Sequence, residues 1–361
     1  MSLVKLSIRN FRNLHQLDLE PSEDINIIFG KNASGKTSIL EAIYFLGRAS
    51  SFRTNRFERL LENGEKELLV YASLKSKNGK IVPFGVKKAS KSLIIRINEQ
   101  KINKVSDLVQ TLPLQIIHPN SHQLLEEGPK YRRRFLDWGV FHVEHQFYPA
   151  WLRYQKALKQ RNAALRLPKA QQMANVWSKE LVESAQIIDR HRRVYLQSLQ
   201  AGLDHFIKPV LGDLNIQIKY QQGWKKDTEF AQALTDALDN DIERGFTSVG
   251  PQRADVNILV DGVIAHERIS RGQQKILVTS LLLAQAELYN TITGKKCLLL
   301  IDDVAAELDE HNKAKLLTVL VKMNVQMFLT SIDPGTLQSV MDARQGSKMF
   351  HVEHGKLSKV V

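Results

Sequence analysis

The stretch "GKNASGKTS", residues 30–38, constrains this chain more than any other. It fits GxxxxGKS/T in full and stands between a short apolar run, "INIIF", and a helix-forming segment from Lys36 to about Gly47. Glycines at those positions let the backbone close around an anion, and the loop amides point inward at it. Gly30, Lys31, Asn32, Ala33, Ser34, Gly35, Lys36, Thr37 and Ser38 are therefore read as a phosphate cradle. Lys36 is expected to reach the β- and γ-phosphates, and the Thr37 hydroxyl to ligate Mg²⁺.

Such a loop needs a carboxylate at the end of a hydrophobic strand. "CLLLIDD" supplies Asp302 and Asp303. Asp302 is expected to hold Mg²⁺ through water, and Asp303 to orient or deprotonate the water that attacks the γ-phosphate. Lys36 and Asp303 are thus the catalytic candidates, Thr37 and Asp302 the metal candidates. The chain shows no guanine-reading NKxD motif, which favours ATP over GTP.

A second anion site follows far downstream. Ser270-Arg271-Gly272-Gln273-Gln274-Lys275 is small, polar and basic, and an apolar helical run begins at once. Ser270 as N-cap, the amide of Gly272 and the helix dipole suit a phosphate. In isolation the same residues make an ordinary capped helix. One active site needs only one γ-phosphate cradle, so the stretch is read as closing over ATP held by another copy of the chain. That predicts an ATP-dependent homodimer.

The organisation is α/β with an insertion. At 361 residues the chain exceeds what one core usually holds. Residues 1–124 read as strands around the loop, with Asn78-Gly79 as a hairpin turn and "SLIIRINEQKI" as one strand. Residues 125–212 are mostly helix-forming. Trp151, Tyr154, Leu158, Arg161 and Leu165 share a helical spacing, as do Trp177, Leu181, Ser184 and Ile188, with Pro168 between the halves. A helical hairpin is expected, and a helix of about 35 residues would span roughly 50 Å. Residues 213–361 return to α/β, with a strand at 214–224, a helix near 228–243, a hairpin over 254–269 turning at Asp261-Gly262, and strand–helix alternation to the end. "FHVEH" occurs twice, at 141–145 and 350–354; its spacing is not HExxH, and the second copy alternates like a strand, so no metal site is read there.

The net charge of +13 favours polyanionic partners. Candidate contacts are Lys130, Arg132, Arg133 and Arg134, then Arg153, Lys156 and Lys159, then Arg190, Arg192 and Arg193, and Lys225 with Lys226. Each cluster is equally a solvated face, and Arg133 and Arg134 are alternatively anchors of the arm. No recognition helix, zinc module or aromatic RNA signature is present, so any nucleic-acid contact is expected at phosphates, independent of sequence. "MSLVKLSIRNF" alternates like a strand rather than a leader, and no apolar run reaches the roughly 18 residues of a membrane span. A cytoplasmic, nucleoid-associated location is expected. The single cysteine, Cys297, reads as a small buried residue.

Phosphate loop, long insertion, S-x-G-Q-like residues, acid-tipped strand and "AELD" together resemble the ABC-type ATPase heads of SMC and Rad50 proteins. "NFRNL", "SFRT", "GPKYRRRFLDW", "GPQRADV", "SRGQQK" and "LLLIDDVAAELD" further resemble the RecF family of bacterial recombination mediators. The resemblance implies an ABC-type P-loop head carrying a helical arm, with ATP and Mg²⁺ as cofactors. It implies DNA as partner, duplex or single-strand/double-strand junction, RecO and RecR as protein partners in loading RecA, and roles in repair, replication and the SOS response. It assigns Ser270, Gly272 and Gln273 to the signature motif, Asp309 to the loop lining the dimer interface, and Arg12 to the neighbourhood of the nucleotide. Three departures stand out. Asp303 occupies the base position where SMC heads carry Glu, and a carboxylate about 1 Å short predicts slow hydrolysis. Thr330 and Ser331 stand where a switch His is usual. The Q-loop residue stays open among Gln115, His118 and Asn120. The rival reading is a nucleotide-binding scaffold that recruits partners without ATP-gated clamping.

Overall fold

The apolar run before the phosphate loop is β3 (Ile25–Phe29), paired in parallel with β13 (Met327–Ser331) on one side and β14 (Lys348–Glu353) on the other. In the computed structural model, which describes residues 1–303 and 308–360, this sheet runs β15-β14-β3-β13-β12-β8. The remaining members are β8 (Leu114–Ile117), β12 (Leu298–Ile301) and the antiparallel edge strand β15 (Lys356–Lys359). All four residues of β12 are buried, as a strand covered on both faces requires. The sheet belongs to a first unit made of Met1–Ser121 with the chain from Tyr289 onward; His122–Leu288 form a second.

A second, antiparallel sheet completes the first unit in the order β2-β1-β4-β5-β6-β7. Its strands are β1 (Ser2–Phe11), β2 (Leu14–Leu19), β4 (Glu67–Lys75), β5 (Ile81–Ala89), β6 (Ser92–Ile97) and β7 (Gln100–Ile102). Leu68, Val70, Ala72 and Leu74 of β4 alternate into the core with Phe84 and Val86 of β5. The helix after the phosphate loop, Lys36–Arg48, packs between the two sheets through Ile39, Leu40, Ile43 and Leu46. The Asn78-Gly79 turn joins β4 to β5 as predicted. The run expected as one strand over 92–102 is two, because Asn98 and Glu99 take φ of 50° and 67° and fold it back. A primed turn needs two left-handed residues, and without glycine the sequence hides it. Cys297 is fully buried, and burial pushes its thiol up to about 12.

The second unit holds the long helices Pro129–Val143, Phe147–Ala164 and Ser178–Leu211, and most of a fourth, Arg271–Thr293. Ser178–Leu211 has 34 residues, close to the expected length. The unit also takes in 213–288, which the sequence assigns to the returning head. The reason is strand pairing: β9 (Ile216–Gln221) pairs with β10 (Asp255–Val260), in a separate three-stranded sheet with β11 (Val263–Ile264). The helix expected over 228–243 is two, Phe230–Asp236 and Leu238–Arg244, meeting at Ala237. The hairpin's second arm stops after β11, where Ala265–Arg268 turn into a short helix. The two FHVEH copies differ, one ending the helix Pro129–Val143 and one lying along β14. Among the described residues, no helix is long and apolar enough to cross a membrane.

Several arginines offered above for nucleic acid are occupied within this unit. Arg192 is fully buried, donates to both carboxylate oxygens of Asp137 at 2.9 and 3.0 Å and gives a third hydrogen bond to Pro251 O. Arg161, from the apolar stripe, is equally buried and donates to Asp241 at 2.7 Å and Thr247 at 2.6 Å. Arg132 grips Asp255 at 2.7 and 2.9 Å, Arg133 donates to Ala254 O, and Arg193 pairs with Asp189. Lys130, Arg134, Lys156, Lys159, Arg190, Lys225 and Lys226 stay exposed or half-exposed. A buried charge stripped of its partner is destabilising by about 3–5 kcal/mol. Asp241→Ala, which strips Arg161 of its counter-charge and leaves it only the Thr247 hydroxyl, should lower the urea midpoint of the helical unit accordingly; an unchanged midpoint would mean the pair does not stabilise this unit.

Candidate nucleotide-binding site

The loop from Gly30 to Gly35 leaves the C-terminal end of β3, an interior strand, and enters its helix at Lys36. Lys31, Asn32 and Ala33 are exposed; Ser34 to Lys36 are buried. Gly30 has φ 155°, and a Cβ there would stand 2.2 Å from Val352 O and 2.9 Å from Ser34 Oγ, so any side chain would fill the cradle's floor. Lys36 folds back over the loop, donating from Nζ to Gly30 O at 2.8 Å and Lys31 O at 3.1 Å. Ser34 Oγ is buried and has no hydrogen-bond partner among the described residues. A buried hydroxyl without a partner is costly, so the cradle is chemically incomplete without a ligand.

The acid pair meets the loop through hydroxyls. Thr37 Oγ1 donates to Asp302 Oδ1 at 3.0 Å, and Thr330 Oγ1 donates to the same oxygen at 2.8 Å. Thr330 Oγ1 in turn accepts the Asp303 amide at 2.9 Å. Burial pushes the Asp302 carboxyl above the ordinary carboxylate range; the two hydroxyls pull it partly back. Asp303 has φ 45°, a left-handed conformation Asp tolerates better than most residues, and its buried Oδ1 has no hydrogen-bond partner among the described residues. Thr330 is thus the organiser of both acids. The sequence marked it only as standing, with Ser331, where a switch His is usual, at the end of the apolar run "QMFLTS".

The sequence reading missed how the loop is braced. Asn13 touches it from outside, donating to Ala33 O at 3.4 Å and accepting from Ser38 Oγ at 2.8 Å. The turn between β14 and β15 does more: the Gly355 amide donates to Ser34 O at 2.9 Å, while Val352 O lies against Gly30. No motif marks this C-terminal hairpin, because its contribution is backbone. Arg12 is committed to a fully buried carboxylate, donating to Glu41 Oε2 at 2.9 Å and Oε1 at 2.8 Å; Arg53 and Ser51 reach the same group. Gln115 is buried in β8, and His118 lies against Phe52 with ring centroids 5.4 Å apart.

Ser270, Gly272 and Gln273 lie on the second unit, at the start of the helix Arg271–Thr293. Ser270 and Gln273 form a reciprocal cap: Gln273 N donates to Ser270 Oγ at 3.3 Å and Ser270 N to Gln273 Oε1 at 3.1 Å. Ser270 and Arg271 are exposed, and nothing lies within 4 Å of where a Cβ on Gly272 would stand. Asp309 is the N-cap of the helix Glu310–Lys322, accepting from Asn312 N at 2.8 Å and Nδ2 at 2.6 Å, contacts that hold its carboxyl below the usual range. The Ala306-Glu307 half of "AELD" lies outside the described residues.

A strand, phosphate loop and helix, with an acid-tipped strand two places along the same sheet and an antiparallel sheet across the same core, define the head of an ABC-type ATPase. The RecF/RecN/SMC N-terminal domain family matches residues 2–358. The DNA replication and repair protein RecF of Pseudomonas aeruginosa is 42% identical over 99% of this chain and 98% of its own length, and that of Vibrio atlanticus 38% identical over 99% and 100%. The chain belongs to this family and, within it, to the RecF proteins. The solved structure of the recombination mediator RecF–ATP of the RecFOR pathway matches with TM-score 0.88 at 26% identity, over 100% of this chain and 98% of that one. An Smc head from Pyrococcus furiosus matches with TM-score 0.61 at 13% identity, over 99% and 96%, a likeness of fold.

Gly355→Val tests the brace. Gly355 has φ 74°, and an added Cβ would stand 2.2 Å from Asn13 O. Strain of about 1–3 kcal/mol at that turn, passed to Ser34, should weaken nucleotide binding by roughly tenfold. Calorimetric titration with ATP reads the change; wild-type affinity would mean the hairpin does not support the loop.

Proposed function

We propose that the chain is an ATP-dependent DNA-binding protein of recombinational repair, two copies of which close over ATP and hold DNA until slow hydrolysis lets go. The relatives' names, a DNA replication and repair protein and an ATP-bound mediator of the RecFOR pathway, support the setting. One observation carries the mechanism. The first unit holds a phosphate loop with its acid pair, and the second offers an exposed, capped helix start whose glycine nothing in its surroundings requires. Glycine costs a helix about 1 kcal/mol relative to alanine, so its presence there favours an approach from outside the chain.

In this reading the loop amides and Lys36 take the phosphates, Lys36 exchanging the carbonyls of Gly30 and Lys31 for phosphate oxygens. Ser34 gains the partner it lacks. Thr37 and Asp302 fit Mg²⁺, which would neutralise the triphosphate and polarise its terminal phosphate. Asp303 accepts a proton from the attacking water as the bond between the γ-phosphorus and ADP breaks. Being an Asp, it reaches short, and turnover is slow enough for a timed clamp. Ser270, Gly272 and Gln273 of the second copy complete the γ-phosphate shell, Asp309 lines the contact between copies, and Arg12 acts by fixing Glu41 behind the loop. The helical segment 125–212 serves as the arm. DNA is held through phosphates, as junctions of single and double strand, with RecO and RecR as partners in loading RecA in the cytoplasm.

Two experiments check this. Lys36→Ala and Ser270→Ala should each abolish ATP hydrolysis and ATP-dependent dimerisation in sedimentation, and an equimolar mixture should regain both, since one composite site in each mixed dimer is intact. A nucleotide-binding scaffold would show no rescue. Asp303→Asn should cut hydrolysis by ~10²–10⁴-fold while leaving the ATP-held dimer in place; loss of the dimer would instead make Asp303 a binding residue.

A further inference from the structure

The antiparallel sheet of the first unit has a face that its own core does not use. Strand register aligns Ser7, Tyr71, Gly85, Arg96 and Lys101 across β1, β4, β5, β6 and β7, all on the side opposite Val70, Val86 and Ile95. Beside that row lie Arg9, Leu69, Lys87 and Ile94, and on its other flank Lys5, Ser73 and Pro83. Lys87 is paired with Glu67 at 2.7 Å. Lys5, Arg9, Arg96 and Lys101 are exposed and have no ion pair among the described residues, unlike Arg132, Arg161 and Arg192 of the helical unit. Opposed to them on this face stands Asp18, across from Ser7.

Tyr71 sits at the middle of this charge. It is 37% exposed although it belongs to a central strand. Its Cδ2 lies 3.5 Å from where a Cβ on Gly85 would stand, so the ring leans over a bare patch of backbone. With neighbouring strands about 4.8 Å apart, Arg96 is roughly 10 Å from Tyr71, and Lys101 roughly 14 Å. An aromatic ring on a flat sheet between uncommitted cations is the arrangement that takes unstacked bases and their phosphates together. A duplex keeps its base faces covered and would use the cations alone.

We propose that this sheet face is a stacking platform for single-stranded nucleic acid, with Tyr71 against a base and Lys5, Arg9, Arg96 and Lys101 along the backbone phosphates. It deepens the DNA-binding reading above by assigning the single-stranded side of a junction to a definite surface. None of these residues belongs to the nucleotide site, so ATP binding is the control for folding.

The test is fluorescence anisotropy with labelled oligothymidylate and with a blunt duplex of equal length, ATP present. Tyr71→Leu keeps an apolar cover over Gly85 but removes the ring; it should weaken oligothymidylate binding roughly tenfold and change duplex binding less than about twofold. Tyr71→Phe should bind both probes like wild type. Arg96→Glu with Lys101→Glu should weaken the single strand by a further tenfold or so and flatten its salt dependence. Unchanged oligothymidylate affinity in Tyr71→Leu, or equal losses on both probes, overturns the platform. If the wild-type protein binds the duplex alone, only the platform falls; if it binds neither probe, the DNA-binding function falls with it.

Discussion

One carboxylate oxygen organises the candidate nucleotide site. Asp302 Oδ1 accepts from Thr37, which opens the helix after the phosphate loop, and from Thr330, which ends β13. Those contacts tie together three consecutive members of the parallel sheet: β3 through its loop, β13 and β12. The hydroxyls also temper the cost of burying a carboxylate, whose proton affinity burial raises. Remove that meeting point and loop, helix and acids lose their common reference.

Backbone strain and unmet hydrogen bonds occur at the loop and at the acid pair. Asp303 takes a left-handed backbone, its Oδ1 lacks a partner among the described residues, and so does Ser34 Oγ. The buried carboxylate on the helix after the loop is, by contrast, fully satisfied. Glu41, fully buried, receives Arg12, Arg53 and Ser51. Glu41 thus settles its charge within the chain, whereas Ser34 Oγ and Asp303 Oδ1 find no partner among the described residues.

Charge follows the same division. The helical unit consumes its buried arginines in carboxylate pairs, so much of its basic composition is architecture. A buried charge must be paired or it destabilises the fold, and a paired charge has little left for DNA. The antiparallel sheet leaves cations unpaired on a solvent face. Net charge alone, though large, points to a polyanion without saying which side meets it.

By itself the sequence determined the loop, the acid-tipped strand and the capped helix start at Ser270, because each is a local pattern of residue type and spacing; the ABC-type architecture was legible through the resemblance those motifs carry together. The 34-residue arm helix and the Asn78-Gly79 hairpin were legible as local patterns too. Tertiary structure alone decided that Gly355 and Val352 brace the loop, since a backbone amide and carbonyl carry no residue signature. It decided that Thr330 joins the two acids, and that Arg192 is buried rather than free, because a partner distant in sequence makes the difference. It also decided that 213–288 group with the helices: which strand pairs with which is a long-range choice, and β9 pairs with β10. Local chemistry is written in order along the chain, but the company each residue keeps is fixed only when the chain has closed on itself.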